Sequence, residues 1–222
     1  MPLMLTTLSD KCEKCLKPSN VCFCSQTPVI SSQLKIVVLQ HPQEPKELLS
    51  SIPLIMAVVK NVDVKIGLSW ANFKKVVGDK ESPSEWGVVY LGSGIKFPEE
   101  KRTYNLPLVS FVDKKSQLRS SSEQMQLKKQ LKGLIFLDGT WAQAKTLWWR
   151  NPWLLKLSRV ILQPSAPSEY GKIRREPKKE CLSTLESVAL CLEFFDEHLP
   201  AKGLREIFTT FLGKVKLKKS ST

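Results

Sequence analysis

The feature that most constrains the fold of this chain is a series of short apolar runs rich in β-branched residues. The runs lie at residues 35–40, 62–66, 87–91, 133–137 and 160–163. Most of them are nearly continuous rather than alternating in polarity, which is typical of strands covered on both faces. Because helical patterns lie between or after them, the sequence predicts an α/β fold with a mostly parallel sheet flanked by helices. In such sheets, ligands bind at the carboxyl ends of the strands.

Helical spacing is clearest towards the C-terminus. Apolar residues recur at helical intervals over residues 183–198, and a further short helix is expected from Gly203 into a Lys-rich tail. The polar stretch at residues 116–122 is expected to form a loop. These patterns divide the chain into an N-terminal module, a main α/β domain and a C-terminal helix with its tail, at residues 1–28, 29–202 and 203–222.

Four of the six cysteines crowd into a short N-terminal segment, as two close pairs separated by a turn. They are Cys12, Cys15, Cys22 and Cys24. Each pair can supply two thiolates to one tetrahedral ion, and four sulfur ligands at a closed site favour a structural zinc ion. The alternative is a set of reduced thiols without a metal. The other two cysteines, Cys181 and Cys191, are expected to be ordinary core or near-core thiols.

The chain is strongly basic, with 34 Lys and Arg residues against 21 Asp and Glu residues and a net charge of +13. Such an excess favours a polyanionic partner, because binding releases counterions condensed on phosphates. The alternative is a basic protein that binds no nucleic acid. No run is apolar and long enough to cross a bilayer, and residues 1–10 lack the pattern of a secretory signal. We therefore expect no membrane partner and a cytoplasmic location, and the Lys-rich tail leaves a nuclear location open. No protein partner is implied, and the oligomeric state is open.

Two motifs have the form of a helix N-terminus. Asp138 ends the fourth apolar run, and Thr140 with Gln143 then fits a capping box. Ser183 with Glu186 fits a second capping box. Free N–H groups at helix N-termini suit a carboxylate or a phosphate, so both motifs are candidates for ligand binding. The alternative is that Asp138 and the two boxes only form turns and cap helices.

A zone rich in tryptophan and basic residues lies between these two motifs. Trp141 and Trp148 share a helical face and are expected to pack in the core, whereas Trp149, Arg150 and Trp153 are candidates for stacking on bases. The basic run that follows is a candidate for phosphate contact, and the alternative is a solvated loop. Its residues are Lys172, Arg174, Arg175, Lys178 and Lys179.

Together these motifs resemble the DTW-domain family, the tRNA-uridine aminocarboxypropyltransferases. The family's marks occur in order along nearly the whole chain, and the ordered set is specific although each motif alone is weak. They are the four-cysteine cluster, His41-Pro42-Gln43-Glu44, Asp138-Gly139-Thr140-Trp141 (matching the name-giving Asp-x-Thr-Trp), Tyr170-Gly171-Lys172-Ile173-Arg174-Arg175-Glu176-Pro177, and Leu182-Ser183-Thr184-Leu185-Glu186. The chain departs from the family at the end of the middle strand, where the family usually has Tyr-Pro or Phe-Pro and this chain has Tyr90-Leu91-Gly92-Ser93-Gly94.

The resemblance implies a SPOUT-like α/β fold that binds S-adenosylmethionine near the carboxyl edge of the sheet. It also implies a reaction in which N3 of a tRNA uridine receives the aminocarboxypropyl group of that cofactor, without a redox cofactor or a catalytic metal. The residues placed at the cofactor are Leu91, Gly92, Gly94, Gly139, Thr140, Trp141, Leu182, Ser183, Thr184 and Glu186.

Two titratable residues are candidates for catalysis. Asp138 is the candidate for accepting or orienting the uridine N3 proton, and His41 is the other such residue near a strand end. His41 can equally cap the turn after Gln40. Two other functions stay open, a SPOUT-type RNA methyltransferase with the same cofactor and a non-catalytic zinc-containing RNA-binding adaptor. The sequence does not determine which tRNA, which uridine or whether an rRNA is modified.

Overall fold

A computed structural model describes most of the chain, at residues 11–13, 15, 17–24, 28–89, 108–164, 166–171, 173 and 182–220. Its strands are β1 (Lys35–Gln40), β2 (Val62–Ile66), β3 (Trp86–Val89), β4 (Val109–Val112), β5 (Gly133–Asp138) and β6 (Ser158–Leu162). Its α-helices are α1 (Ile52–Val58), α2 (Lys74–Val77), α3 (Ser121–Gln130), α4 (Trp141–Arg150), α5 (Thr184–Phe194) and α6 (His198–Ser220). Short 3-10 turns precede or follow several of these elements, at Ser19–Val21, Glu44–Lys46, Pro83–Glu85 and Pro152–Lys156.

The described strands form one six-stranded sheet in the order β2-β1-β5-β3-β6-β4. Every neighbouring pair is parallel except β4 and β6, which are antiparallel. The predicted α/β fold with a mostly parallel sheet flanked by helices is therefore confirmed. Because β1 and β5 are central neighbours, their carboxyl ends meet at one edge of the sheet, where Gln40 lies in register with Asp138.

The continuous apolar runs follow from burial on both faces of the sheet. In β1, Ile36 and Val38 face one hydrophobic core, while Val37 and Leu39 face the other. The larger core lies under α1, α5 and α6, and the smaller one is built around aromatic residues such as Phe73. Since successive side chains of a strand point to opposite faces, a strand buried on both sides must be apolar at every position.

Several element boundaries differ from the sequence-based expectations. The structure adds β4, which was not predicted because Ser110 interrupts its short apolar run. The loop expected at residues 116–122 ends early, since Ser120 caps α3 and the helix begins at Ser121. The helix predicted from residue 183 ends at Phe194, and the helix expected from Gly203 begins five residues earlier at His198.

The N-terminal segment packs into the same core as the main domain. Cys15, Val21 and Phe23 are buried in the larger core, and the ring of Phe23 meets the ring of Phe211 edge-on, with centroids 6.2 Å apart. Phe211 belongs to the C-terminal helix α6, which is 23 residues long. Among the helices in the described part of the chain, none combines the length and the apolar character required to span a membrane.

A close contact between β3 and β5 provides a test of the packing. A Cβ added at Gly133 would lie 2.6 Å from the ring of Trp86, whereas a Cβ at Gly213 in α6 would meet nothing within 4 Å. We expect Gly133→Ala to lower the free energy of unfolding by about 2 kcal/mol through overpacking. Gly213→Ala is the matched control and should raise it by about 0.5–1 kcal/mol, because alanine is the better helix former. Urea denaturation of both variants measures these changes, and an unaffected Gly133→Ala would contradict the register of β3 on β5.

Candidate active site and metal centre

Asp138 lies at the centre of the carboxyl edge of the sheet, as the last residue of β5. Its side chain is only 6% exposed, and both of its oxygens accept hydrogen bonds from side chains of other elements. The amide of Gln40, at the end of β1, donates to Oδ2 over 2.8 Å. The hydroxyl of Thr184, in the first turn of α5, donates to Oδ1 over 2.5 Å. The carboxylate therefore joins two strands and one helix start, and its orientation is fixed.

The helix after Asp138 begins as the sequence predicts. Thr140 caps α4, and its side chain and that of Gln143 form the reciprocal capping box. Gly139 allows this tight approach, since a Cβ there would lie 2.8 Å from the Cβ of Gln143. The amide of Gln143 also donates to Oε1 of Gln43 over 2.9 Å. The start of α4 is thus tied to the His-Pro-Gln-Glu motif that follows β1.

The second capping box is also confirmed, and its acidic member makes further contacts. Ser183 caps α5, and its backbone N–H donates to Oε2 of Glu186 over 2.8 Å. The hydroxyl of Ser168 donates to the same oxygen, and the backbone N–H of Glu169 donates to Oε1, each over 2.7 Å. Glu186 therefore holds both ends of the chain segment that runs from Glu169 to Ser183.

His41 lies directly beside Asp138. Its backbone N–H donates to the carbonyl oxygen of Asp138 over 2.9 Å, which extends the pairing of β1 and β5 by one residue. Nδ1 of the ring accepts a hydrogen bond from the backbone N–H of Gln43 over 3.4 Å. The ring thus helps to cap the turn after β1, while its half-buried position keeps it next to the edge where Asp138 lies.

The structure brings most of the predicted cofactor residues to this edge. Gly139, Thr140 and Trp141 follow Asp138 directly, and the second group surrounds the start of α5 beside it, at Leu182, Ser183, Thr184 and Glu186. Their contact with a cofactor stays a prediction. Leu91, Gly92 and Gly94, predicted for the same role, lie outside the described residues.

The tryptophans between the two motifs divide into buried and exposed members. Trp149 is 77% exposed on α4, as a base-stacking residue must be, and Arg150 next to it is also exposed. The expectation that Trp153 is exposed was wrong: it is 8% exposed, and its Nε1 donates to the carbonyl of Trp70 over 3.0 Å. Trp148 is buried as expected, whereas Trp141, expected to pack in the core beside it, is only half-buried. The basic residues predicted to contact RNA, Lys172, Arg174, Arg175, Lys178 and Lys179, lie outside the described residues.

Sequence reasoning did not single out Gln40, Ser168 or Tyr170 as residues of the site. Gln40 carried a signal, because a buried polar residue that ends an apolar strand needs a hydrogen-bond partner at the strand's carboxyl end. Tyr170 is 1% exposed and its hydroxyl donates to the backbone carbonyl of Leu49, a contact that joins distant loops and leaves no local pattern in the sequence.

The four N-terminal cysteines converge on one point. All four sulfur atoms lie within 4.8 Å of one another, and Sγ of Cys15 lies 3.8 Å from Sγ of Cys22. A tetrahedral zinc ion with Zn–S bonds of about 2.3 Å sets its ligand sulfurs about 3.8 Å apart, so the cluster fits zinc. The four thiols would fill all positions of such a site, which is the arrangement of a structural rather than a catalytic zinc ion.

The protonation of these thiols opposes metal binding at low pH. Burial raises the pKa of the Cys15 and Cys24 thiols above the ordinary value. A metal ion must therefore displace protons from neutral thiols, and its affinity falls as the pH is lowered. Burial also raises the pKa of Cys191, a buried residue of α5 that is not part of the four-cysteine cluster, and Cys181 lies outside the described residues.

The chain is similar to known proteins over most of its length. The DTW domain model matches residues 9–216. The chain is 29% identical over 204 residues to tRNA-uridine aminocarboxypropyltransferase 2 of Mus musculus, covering 89% of this chain and 60% of the relative. It is 31% identical over 192 residues to the protein of the same name from Drosophila melanogaster, covering 82% of this chain and 65% of the relative.

A plant relative is more distant. The chain is 25% identical over 203 residues to tRNA-uridine aminocarboxypropyltransferase A of Arabidopsis thaliana, covering 82% of this chain and 70% of the relative. The chain thus spans about 60% to 65% of the length of the mouse and fly relatives. No solved structure matches the chain significantly.

The geometry of the four cysteines predicts that each chain binds one zinc ion. We expect the purified protein to hold one zinc ion per chain, measured by inductively coupled plasma mass spectrometry. The double variant Cys15→Ser with Cys22→Ser removes one ligand of each pair and should lose the metal, whereas Cys191→Ala should retain it. Retention of zinc by the double variant, or its absence from the wild type, would show that the four thiols do not hold zinc.

Proposed function

This chain belongs to the DTW domain family, and we propose from that membership that it transfers the 3-amino-3-carboxypropyl group of S-adenosylmethionine to N3 of a uridine in tRNA. The relatives that carry the name tRNA-uridine aminocarboxypropyltransferase support the transferred group and the substrate. The net charge of +13 is compatible with a polyanionic substrate.

The observation that carries the proposal is the environment of Asp138. A buried carboxylate stands at the carboxyl edge of the sheet with the N-termini of α4 and α5 on either side of it. Ligands of parallel α/β sheets bind at this edge, and the free N–H groups of helix N-termini suit a carboxylate. The aminocarboxypropyl arm of S-adenosylmethionine ends in such a carboxylate next to its amino group.

The reaction makes one bond and breaks one bond. Uridine N3 attacks the methylene carbon bonded to the sulfonium, the carbon–sulfur bond breaks, and its electron pair neutralises the sulfur. Methylthioadenosine leaves, and the N3–H proton passes to a base. Since the sulfonium is already a good leaving group, holding the nitrogen and the carbon in line accounts for most of the rate.

The residues at the edge divide these tasks. Asp138 holds the uridine imide or accepts its proton, and Gln40 and Thr184 keep the carboxylate aimed. His41, beside it, is the second candidate for the proton. S-adenosylmethionine would be held by the two helix starts and by residues that follow β3 in the sequence, at Gly139, Thr140, Trp141, Leu182, Ser183, Thr184, Glu186, Leu91, Gly92 and Gly94.

The tRNA lies against Trp149 and the basic run between Tyr170 and Leu182. Lys172, Arg174, Arg175, Lys178 and Lys179 contact phosphates, which position the RNA without reading its sequence. Trp149 stacks on an unpaired base. The target uridine leaves its stack to reach Asp138.

Loss of the Asp138 carboxylate should abolish transfer. We expect the wild type, incubated with unmodified tRNA transcript and S-adenosylmethionine, to yield 3-(3-amino-3-carboxypropyl)uridine, detected by mass spectrometry of the digested nucleosides. Asp138→Asn should lower the rate by at least about a hundredfold, the range typical of acid–base and positioning groups. Asp79→Asn, on an exposed residue after α2, is the matched control and should retain wild-type activity.

The product mass separates the proposal from its alternatives. A uridine heavier by a single methyl group would assign the protein to the RNA methyltransferases instead. Tight tRNA binding without any modified nucleoside would favour a non-catalytic RNA-binding adaptor. Activity of Asp138→Asn at the wild-type rate would remove Asp138 from the reaction while leaving the family's activity in place.

The exposed indole of Trp149 provides a test of the RNA surface. Stacking on a base contributes about 1–3 kcal/mol, so Trp149→Ala should weaken tRNA binding roughly tenfold. Met125→Ala is the control, because Met125 is 62% exposed on α3 and carries no predicted RNA contact. Fluorescence anisotropy with labelled tRNA measures both dissociation constants, and equal values for the two variants would place the RNA elsewhere.

A further inference from the structure

In the loop between β1 and α1, several consecutive backbone carbonyls accept hydrogen bonds from side chains of distant elements. Residues 47–50 follow the 3-10 turn Glu44–Lys46 and lead into α1. Within this loop, the carbonyls of Leu48, Leu49 and Ser50 each accept a hydrogen bond from a side chain far away in sequence. A loop held in this way depends on its donors, because buried carbonyls without partners are costly.

Lys17 is the first of these donors and comes from the cysteine module. Its side chain is 3% exposed, and its ammonium donates to the carbonyl of Leu48 and, over 2.9 Å, to that of Ser50. The ammonium also lies 5.5 Å from the ring centroid of Phe211 in α6. A buried lysine requires such partners, since an isolated charge in the core is unfavourable. The side chain therefore links the module to the loop.

Tyr170 is the second donor and lies in the segment between β6 and α5. Its hydroxyl donates to the carbonyl of Leu49, and its ring packs edge-on against Phe208 with centroids 5.0 Å apart. The backbone N–H of Tyr170 donates to the hydroxyl of Ser168, which in turn donates to Glu186. Tyr170 thus anchors the point at which the basic run begins.

These contacts connect the cysteine module to the candidate active site without a break. Lys17 reaches the loop, Tyr170 joins the loop to Ser168, and Glu186 joins Ser168 to the first turn of α5. Thr184, in that turn, donates to Asp138. The loop itself leaves β1 at His41, next to the same carboxylate.

We propose that Lys17 and Tyr170 are positioning residues, which hold the loop at residues 47–50 and so fix the turn at residues 168–171, which precedes the basic run in the sequence, relative to Asp138. The cysteine module thereby acts on substrate binding through Lys17. The proposal rests on the proposed function for its substrate, tRNA. Its effect falls on tRNA affinity rather than on the chemical step, because the side chains of Lys17 and Tyr170 donate to the loop, whereas Gln40 and Thr184 orient the Asp138 carboxylate.

The test compares two lysines that both contact the module. Lys17→Met removes the ammonium and keeps the length of the side chain. Lys214→Met is the matched control, because Lys214 donates to the carbonyl of Cys22 over 2.7 Å rather than to a carbonyl of the loop. Hydrogen exchange is followed at the backbone N–H groups of Glu47 and Ser50, which are hydrogen-bonded within the loop. Zinc content, the dissociation constant of unmodified tRNA, and kcat at saturating tRNA are measured on the same full-length preparations.

We expect Lys17→Met to speed loop exchange and to raise the dissociation constant of tRNA, each on the order of tenfold, with kcat within about twofold of wild type. Lys214→Met should match the wild type in loop exchange and in tRNA affinity. Tyr170→Phe removes only the hydroxyl and keeps the ring packing on Phe208, so it should weaken tRNA binding in the same direction even if Lys17→Met folds poorly.

The proposal would be overturned by wild-type loop exchange in both Lys17→Met and Tyr170→Phe, or by faster exchange with unchanged tRNA affinity. An equal loss of tRNA affinity in Lys214→Met would also overturn it, because the effect would then belong to the whole module. Failure of the proposed function is seen separately, as absence of the modified uridine in the wild-type reaction, while the exchange and tRNA-binding measurements do not depend on product formation.

Discussion

The hydrogen bonds that Asp138 accepts from Gln40 and Thr184 are the interaction on which the rest of the site depends. A carboxylate buried to this degree must have partners, and here each oxygen has its donor on a different element. The sheet supplies the amide and the helix α5 supplies the hydroxyl. One side chain thereby fixes where α5 starts relative to the end of β5.

Burial of the sheet on both faces explains why the polar groups collect at this edge. Along β1 and β5 nearly every side chain packs into one of the two cores. Polar functional side chains are therefore accommodated at the ends of these strands. Gln40 and Asp138 occupy those last positions in register. The capping residues of α4 and α5 then bring helix N-termini to the same place. The location of the site is thus a consequence of the fold and not only of the residues that line it.

Local patterns in the sequence were sufficient for some parts of the structure and insufficient for others. The central strands, both capping boxes and the cysteine cluster depend on neighbours in sequence, and they were predicted. Strand β4 was missed because its stability comes from pairing with β6 and from burial, which four residues containing Ser110 do not reveal. Trp153 was misjudged for a related reason, since its burial depends on the distant carbonyl of Trp70. The bonds of Lys17 and Tyr170 to the loop after β1 are equally non-local, so neither residue could be placed from spacing.

The position of the cysteine module poses an electrostatic problem that the surrounding lysines address. Four thiolates around a zinc ion would carry two net negative charges, and the module lies against the core formed with α6 rather than out in solvent. Lys17 and Lys214 bring two positive charges to its two sides, and both donate to backbone carbonyls rather than to the sulfurs. The charges can offset one another without competing for the metal's ligands. Lys17 donates to the loop that leaves β1 beside Asp138, whereas Lys214 donates to the carbonyl of Cys22, and for that reason the two lysines are not equivalent.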